Sequence, residues 1–242
     1  MPASPIFLLI VCLLGTATTV QGQVADATDR WTFETFGSIT RPQLVAGEEF
    51  TVPRYQFSDI TRLIYRLPLQ GGFSLAGGLG IGVRNLSQRS TADRYECTLG
   101  PQPADCSAIT YWVDVSHLSM FVDLPVQLRY LPGRDDTGLY ATIGTAVQLP
   151  FLESTESVRE QRGGAEFLLA EEQVRDRVAH VLTTGIGYQN RYSADFAWYV
   201  EVTYSRSTGT VVEGHPDRDP FRIRYFQDAR MQQLGITVGM NY

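Results

Sequence analysis

The chain has 242 residues, with 26 acidic and 20 basic side chains, a formal net charge of −6 and a pI near 5.1. Proteins that bind nucleic acid usually carry a concentrated basic surface, so this balance argues against nucleic acid as a partner. The length, together with 22 glycines, 12 tyrosines and 12 phenylalanines, suits one all-β domain.

Residues 1–22 have the pattern of a secretory signal peptide. The apolar run from Ile6 to Leu14 is too short to cross a bilayer but has the length of a signal-peptide core, and small residues precede Gln23. We therefore expect export and a mature domain of residues 23–242. Beyond the signal, no stretch approaches the roughly 18 apolar residues of a membrane helix, so any crossing of a membrane must use strands.

Alternation of apolar and polar residues predicts eight β-strands after the signal peptide. In "SMFVDLPVQLRY", for example, Met120, Val122 and Leu124 lie on one face while Asp123 and Gln127 lie on the other. The predicted strands comprise residues 30–39, 60–69, 73–85, 119–130, 139–149, 177–189, 196–204 and 232–242.

Short and long connections alternate between these strands. Three are tight and rich in turn residues, with the sequences "QGG", "PGRDDTG" and "NRYSAD". The long ones comprise residues 40–59, 86–116, 151–176 and 205–230, and the stretch "EFLLAEEQVRDR" suggests a short amphipathic helix over a barrel mouth. We predict an eight-stranded antiparallel up-and-down transmembrane β-barrel with short periplasmic turns and long extracellular loops.

The composition of the two strand faces predicts which face meets lipid. The polar face is dominated by Gly, Ala, Ser, Thr and Gln, which suit the crowded lumen of an eight-stranded barrel. The apolar face carries almost no charge, as contact with lipid requires. We therefore expect the apolar face to point outward, with outer-membrane lipid as its partner.

Two stretches carry a resemblance to a known family. "FVDLPVQLRY" (residues 121–130) is similar to a middle strand of the small outer-membrane β-barrel family, especially its PorT-type members, with Asp123 and Arg129 in place of the usual Glu and Lys. The terminal Tyr242, preceded by alternating apolar residues, resembles the signal read by the barrel-assembly machinery, where Phe is usual. The resemblance implies location in the outer membrane of a Gram-negative bacterium and contact with that machinery.

Charged residues on the polar face are expected to meet inside the barrel. We predict a lumen charge network, and Arg84 is expected to point inward with it. An interior of paired ions is the favoured interpretation, because an uncompensated buried charge costs several kcal/mol, and a proton or ion pathway is the alternative. Eight strands leave no room for an open solute pore. The network comprises Glu34, Arg62, Arg66, Asp123, Arg129 and Glu201.

Two cysteines remain after export, Cys97 and Cys106, in "YECTLGPQPADC". An even pair in an oxidising compartment predicts a disulfide that closes one loop. So short a ring would stabilise the protein by roughly 2–3 kcal/mol.

The sharpest enzymatic hypothesis is a lipid hydrolase built on His117 and Ser119, with Glu153 orienting the imidazole. The parity of the strand turns His117 and Ser119 inward, however, away from lipid. The three histidines have no metal-binding spacing, so no catalytic, cofactor or metal residue is predicted.

The favoured function is a noncatalytic outer-membrane barrel that anchors, adheres or assists secretion, with protein partners at its long extracellular loops. The alternatives are a lipid-modifying enzyme of the outer membrane and a periplasmic soluble β-barrel that binds a small ligand.

Overall fold

The computed structural model describes residues 31–45, 51–98, 105–132, 137–161, 166–168, 174–193, 196–214 and 228–241. The strands within these ranges are β1 (Trp31–Leu44), β2 (Thr51–Arg54), β3 (Gln56–Pro68), β4 (Phe73–Thr98), β5 (Asp105–Tyr130), β6 (Gly138–Gln161), β7 (Glu166–Leu168), β8 (Val174–Asp176), β9 (Ala179–Arg191), β10 (Ala197–Ser207), β11 (Val212–Gly214) and β12 (Ala229–Asn241).

Eight long strands form a closed antiparallel barrel in the order β1, β3, β4, β5, β6, β9, β10 and β12, and β12 pairs back onto β1. Closure leaves these strands without an unpaired edge inside the barrel wall. The predicted eight-stranded antiparallel barrel is confirmed. In the part of the chain that the structure describes, no helix is long and apolar enough to cross a membrane.

The barrel is apolar outside and polar inside, as the alternation predicted. Leu79, Ile143 and Ile186 are 57%, 64% and 68% exposed, whereas Asp123 and Arg62 are 0% and 5% exposed. A water-soluble protein would bury the first set and expose the second. The inverted pattern is that of a barrel whose outer surface contacts lipid.

Aromatic side chains form a row around the barrel at the end where the short turns lie. Three neighbouring pairs are in ring contact: Trp31 with Tyr65 at 5.1 Å between centroids, Phe73 with Tyr130 at 4.6 Å, and Tyr188 with Trp198 at 6.3 Å. Such rows lie at the interface between hydrocarbon and water in membrane barrels. The row marks one boundary of the lipid-facing band.

One short turn shows why its glycines are needed. The chain reverses between β3 and β4 through a single 3₁₀ turn, Gln70–Gly72, in which Gly71 and Gly72 have φ values of 73° and 82°. Residues that carry a Cβ rarely adopt such φ values, whereas glycine does so readily. A Cβ on Gly72 would also overlap the carbonyl oxygen of Leu131.

Two of the predicted long loops are largely strand, so their predicted boundaries are wrong. β4 and β5 stay paired to Thr98 and Asp105, and β5 and β6 stay paired to Tyr111 and Gln161. In the outer parts of these strands polar residues occupy both parities, so the alternation that marks a membrane strand is lost, as in "SQRSTADRYECT". We call the paired segments 87–98 of β4, 105–116 of β5 and 156–161 of β6, together with β7, the outer sheet.

The expected amphipathic helix is also wrong for the residues that the structure describes there. The stretch contains β7, which pairs with β6, and β8, which pairs with β11. β11 in turn pairs with β12 through Val212 and Ala229. These short strands form by pairing with other strands of the sheet, and the local sequence pattern does not predict them.

The strands β8 and β11 cover the mouth of the barrel on the side of the long connections. Their side chains complete a buried apolar cluster with residues from the barrel wall. The cluster consists of Leu86, Val113, Val115, Val174, Ala179, Val181, Val211, Val212 and Met231. The lumen is therefore polar at its waist and sealed by apolar packing at this mouth.

Candidate functional site

The waist of the lumen holds a buried ion-pair triad with one residue each from β1, β3 and β5. Arg62 Nη1 donates to Glu34 Oε1 at 3.1 Å, and Arg62 Nε donates to Asp123 Oδ2 at 2.7 Å. All three side chains are at most 5% exposed. Taking such ions out of water is costly, and each is compensated here by a charged partner at hydrogen-bond distance.

Hydrogen bonds extend from this triad toward the covered mouth. Gln148 Nε2 donates to Asp123 Oδ1 at 3.1 Å, and Arg84 Nη1 donates to Gln148 Oε1 at 3.2 Å. Arg84 Nη2 then donates to Asp176 Oδ1 at 2.9 Å. Because Asp176 belongs to β8, this ion pair joins the mouth cover to the barrel wall.

A histidine and two carboxylates meet directly beneath the mouth cover. His117 Nε2 lies 3.2 Å from Asp176 Oδ2, and its Nδ1 lies 2.8 Å from Thr155 Oγ1. The backbone N–H of Asp176 donates to Glu153 Oε2 at 2.9 Å. His117 is fully buried, whereas Glu153 is exposed. The cluster is thus open to water on the Glu153 side.

The environment of Asp176 keeps its carboxyl ionised. Burial alone would raise its pKa, but the close contact with His117 and the charge of Arg84 outweigh burial and hold the pKa below its ordinary value. An anionic oxygen is therefore present at the mouth at neutral pH.

A second polar layer lies nearer the short turns. Arg129 Nη1 donates to Gln189 Oε1 at 2.5 Å, and its guanidinium lies 3.7 Å from the ring centroid of Tyr140 and 4.4 Å from that of Tyr199. Arg66 lies 5.3 Å from the Tyr199 ring. Aromatic faces attract cations, so the two tyrosines stabilise this pair of arginines.

Glu201 and Tyr199 complete this layer and connect it to the triad. Glu201 Oε1 accepts hydrogen bonds from Thr142 at 2.8 Å and from Thr203 at 3.0 Å. The Tyr199 hydroxyl donates to Glu34 Oε2 at 2.5 Å. Contacts between polar side chains thus continue through the lumen from the short-turn end to the mouth.

The residues of the predicted lumen charge network all lie on the lumen side of the barrel, in two layers. Glu34, Arg62 and Asp123 are brought together as ion pairs. Arg66, Arg129 and Glu201 lie in the second layer, where the printed contacts are with tyrosine rings, an amide and threonine hydroxyls.

Sequence reasoning missed four residues that hold the lumen together: Gln148, Tyr140, Tyr199 and Asp176. The first three were on the predicted polar face, and an aromatic ring on the polar face of a strand was the signal that could have identified the tyrosines. Asp176 fell at the end of a predicted loop, and no local pattern indicates that it enters the lumen.

The hydrolase hypothesis is not supported by the position of the imidazole. The ring nitrogens of His117 face Thr155 and Asp176, and Glu153 contacts the backbone of β8. Ser119 is buried on the same inward face, at 1% exposure. A catalytic serine needs its base within hydrogen-bond reach and a route to substrate.

Three other predictions fall partly or wholly outside the described side chains. The backbone register places Cys97 directly opposite Cys106 on β4 and β5, as a cross-strand disulfide would require. The disulfide itself stays a prediction. Tyr242 and the signal peptide, residues 1–22, lie outside the described residues.

No family model matches the chain, and no curated protein matches it either. Several solved structures are similar in fold. They include Neisserial surface protein A (8% identity, 90% of this chain and 100% of that chain, TM-score 0.34), the outer membrane protease OmpT from Escherichia coli (10%, 91% and 99%, 0.42) and the attachment invasion locus protein Ail of Yersinia pestis (10%, 88% and 99%, 0.32). These similarities concern the barrel fold and not what the protein does.

Proposed function

We propose that the protein is a noncatalytic outer-membrane β-barrel with a closed lumen, which anchors the outer sheet at the cell surface as an interaction component. Assistance in secretion or adhesion is the class of role that such a component serves. The proposal includes membership of the PorT-type barrels, which residues 121–130 resemble.

The outward surface supports the location. Branched aliphatic side chains more than half exposed, such as Leu79, Ile143 and Ile186, would be costly in water, at about 25 cal/mol for each Å² of apolar surface. The aromatic row at the short-turn end supports insertion in a bilayer. A periplasmic soluble barrel would need the opposite distribution.

The observation that carries the closed lumen is the filled interior. The ion-pair triad of Glu34, Arg62 and Asp123 occupies the waist, and β8 covers the mouth through the Arg84–Asp176 pair. The interior of an eight-stranded barrel is only wide enough for side chains, so a solute cannot pass beside these groups. A pore for solutes would require both layers to separate at once.

The alternative of a lipid-modifying enzyme rests on the cluster of His117, Asp176 and Thr155. His117 is fully buried and faces the lumen, whereas a lipid substrate approaches from outside the barrel wall. We therefore favour the noncatalytic role. Incubation of the refolded protein with lipid A or phospholipid should leave the lipids unchanged by mass spectrometry.

Conductance tests the closed lumen directly. The protein reconstituted in a planar bilayer should pass no steady ionic current, while a large-pore porin added to the same bilayer as a control conducts. A stable unit conductance that persists in the purified protein would reject the closed lumen. It would favour the alternative of an ion pathway.

Thiol labelling on intact cells tests whether the outer sheet faces outward. After mild reduction, a membrane-impermeant maleimide should label Cys97 and Cys106. A matched variant with Cys97→Ser, Cys106→Ser and Gln70→Cys places its single mature thiol in the short turn, and it should be labelled only after the outer membrane is permeabilised. Labelling in the reverse order would overturn the proposed orientation.

A further inference from the structure

The geometry points to a binding site for one divalent transition-metal ion at the barrel mouth, held by His117, Glu153 and Asp176. One ligand atom from each of the three side chains lies within 4.8 Å of the others. The residues come from β5, β6 and β8, so the fold and not a sequence motif assembles them. This inference is independent of the interaction role proposed above.

The donor set suits zinc or a similar ion. One imidazole nitrogen and two carboxylate oxygens are the donors that Zn²⁺ accepts at about 2.0–2.2 Å, with water in a fourth position. Calcium is less suited, because it takes six to eight oxygen ligands and this cluster offers a nitrogen. Small movements of the exposed Glu153 carboxylate would bring the three donors onto one ion.

A second observation independently indicates a missing partner. Asp176 Oδ1 accepts from Arg84, but Asp176 Oδ2 is buried and makes no hydrogen bond of good geometry with the described residues. It faces the Nε2 edge of the His117 ring at 3.2 Å. Buried carboxylate oxygens normally have a partner, and a cation between Asp176 and His117 would supply it.

The local charges permit a cation here. Glu153 and Asp176 contribute two carboxylates, and Arg84 contributes one guanidinium, so the acidic side chains outnumber the arginine at this point. Arg84 Nη2, 2.9 Å from Asp176 Oδ1, leaves the other carboxylate oxygen for the ion and orients it. Glu153 is exposed and gives the ion a route from outside.

A metal ion at this position would fasten the mouth cover. Asp176 belongs to β8, a three-residue strand whose barrel-side contacts include the Arg84 ion pair and the Glu153 hydrogen bond. Coordination would join β8 to β5 and β6 by bonds much stronger than these. The site is therefore structural, and no reaction is assigned to it.

The test uses the full mature chain refolded in detergent and freed of metal with a chelator. Zn²⁺ uptake is measured by equilibrium dialysis and calorimetry, and Co²⁺ serves as a spectroscopic probe of the ligand geometry. Glu153→Gln removes one ligand charge at an exposed position, and His117→Gln removes the imidazole. The matched controls are Glu213→Gln and His180→Gln, at the same end of the barrel but outside the cluster.

We expect one Zn²⁺ per chain, a Co²⁺ absorption band of a nitrogen and oxygen site, and an unfolding midpoint raised by roughly 5–10 °C at a hundredfold excess over the dissociation constant. Both ligand variants should lose these effects and both controls should keep them. No uptake by the unmodified chain, or uptake unchanged by Glu153→Gln, would overturn the site. Because Glu153 is exposed, that variant should fold even if His117→Gln does not.

Discussion

At the scale of single residues, the lumen depends on charge compensation. Asp123 is fully buried and accepts hydrogen bonds from both Arg62 and Gln148. Its removal leaves the buried guanidinium of Arg62 with Glu34 as the carboxylate partner. Charged side chains are tolerated in the lumen because their partners compensate them. Truncation of one partner leaves the other ion buried with less compensation, which lowers the stability of the barrel.

Asp123→Ala should lower the temperature of the heat-induced shift in gel mobility. We expect a loss of about 3 kcal/mol, at the low end of the range for breaking a buried pair, since Glu34 still faces Arg62. Asp123→Asn should fall between the alanine variant and the unmodified protein, because the amide oxygen still accepts hydrogen bonds but carries no charge.

The matched control is Val122→Leu, on the neighbouring position that faces outward. Lipid accommodates the added methylene, so the shift temperature should stay unchanged. If Val122→Leu proved as harmful as Asp123→Ala, the assignment of the two faces would be wrong.

Glycines on the inward face make room for the aromatic rings of the lumen. A Cβ on Gly239 would overlap the ring of Tyr199, whereas a Cβ on Gly37 would meet nothing within 4 Å. Gly239→Ala should therefore destabilise the barrel by about 1–3 kcal/mol, as overpacking does. Gly37→Ala should be neutral or slightly stabilising. Urea titration of both variants in the same detergent measures the difference, and equal midpoints would contradict the packing described.

At the scale of elements, the outer sheet should be closed by a disulfide near its tip. Cys97 and Cys106 are opposite each other in the register of β4 and β5, and opposed residues of antiparallel strands have the separation that a disulfide spans. Peptide mapping without reduction should find the two cysteines linked. Free thiols at both positions in protein isolated from an oxidising compartment would reject the prediction.

Replacing both cysteines by serine should leave the barrel itself intact. The pair lies far along β4 from the lipid-facing band, so its loss loosens the outer sheet without touching the triad of Glu34, Arg62 and Asp123. The gel-shift temperature should change little, while protease sensitivity of the outer sheet should increase.

The strands inside the membrane could be predicted from sequence because lipid and lumen impose opposite demands on alternate residues. This two-residue period located all eight wall strands. It could not locate the outer ends of β4, β5 and β6, where polar residues interrupt the period. Nor could it find β8, which is a strand only because β11 lies beside it.

The inward direction of the charged residues could be predicted for the same reason, but their partners could not. Tyr199 and Glu34 are separated by 165 positions, and Arg84 and Asp176 by 92. Which strands face each other across the lumen depends on the tilt and stagger of the closed barrel, a property of the whole sheet. The sequence had suggested His117 together with Glu153, but it could not bring Asp176 to them for the same reason.

At the scale of the whole molecule, the fold places an apolar surface toward lipid around a lumen filled by paired polar groups. The mouth is covered by β8 and β11, which belong to the long connections between wall strands. The outer sheet extends the barrel wall beyond the lipid-facing band. Strand β4 has 26 residues, far more than the roughly 9–11 residues with which a strand crosses a bilayer. These features are the basis of the proposal that the protein holds a surface outside the membrane and does not conduct through it.

The most direct test of this account is the environment of the outward-facing positions. Spin labels would be attached at Ile143→Cys, Ile186→Cys and Val202→Cys in proteoliposomes, in a chain whose native cysteines are replaced by serine, with Tyr192→Cys in a short turn as the water-exposed control. The account predicts frequent collision of the first three labels with oxygen and little with a water-soluble nickel chelate, and the reverse for Tyr192→Cys. Labels at the first three positions that collide freely with the nickel chelate, or that are immobilised and reached by neither reagent, would contradict a barrel whose apolar face meets lipid.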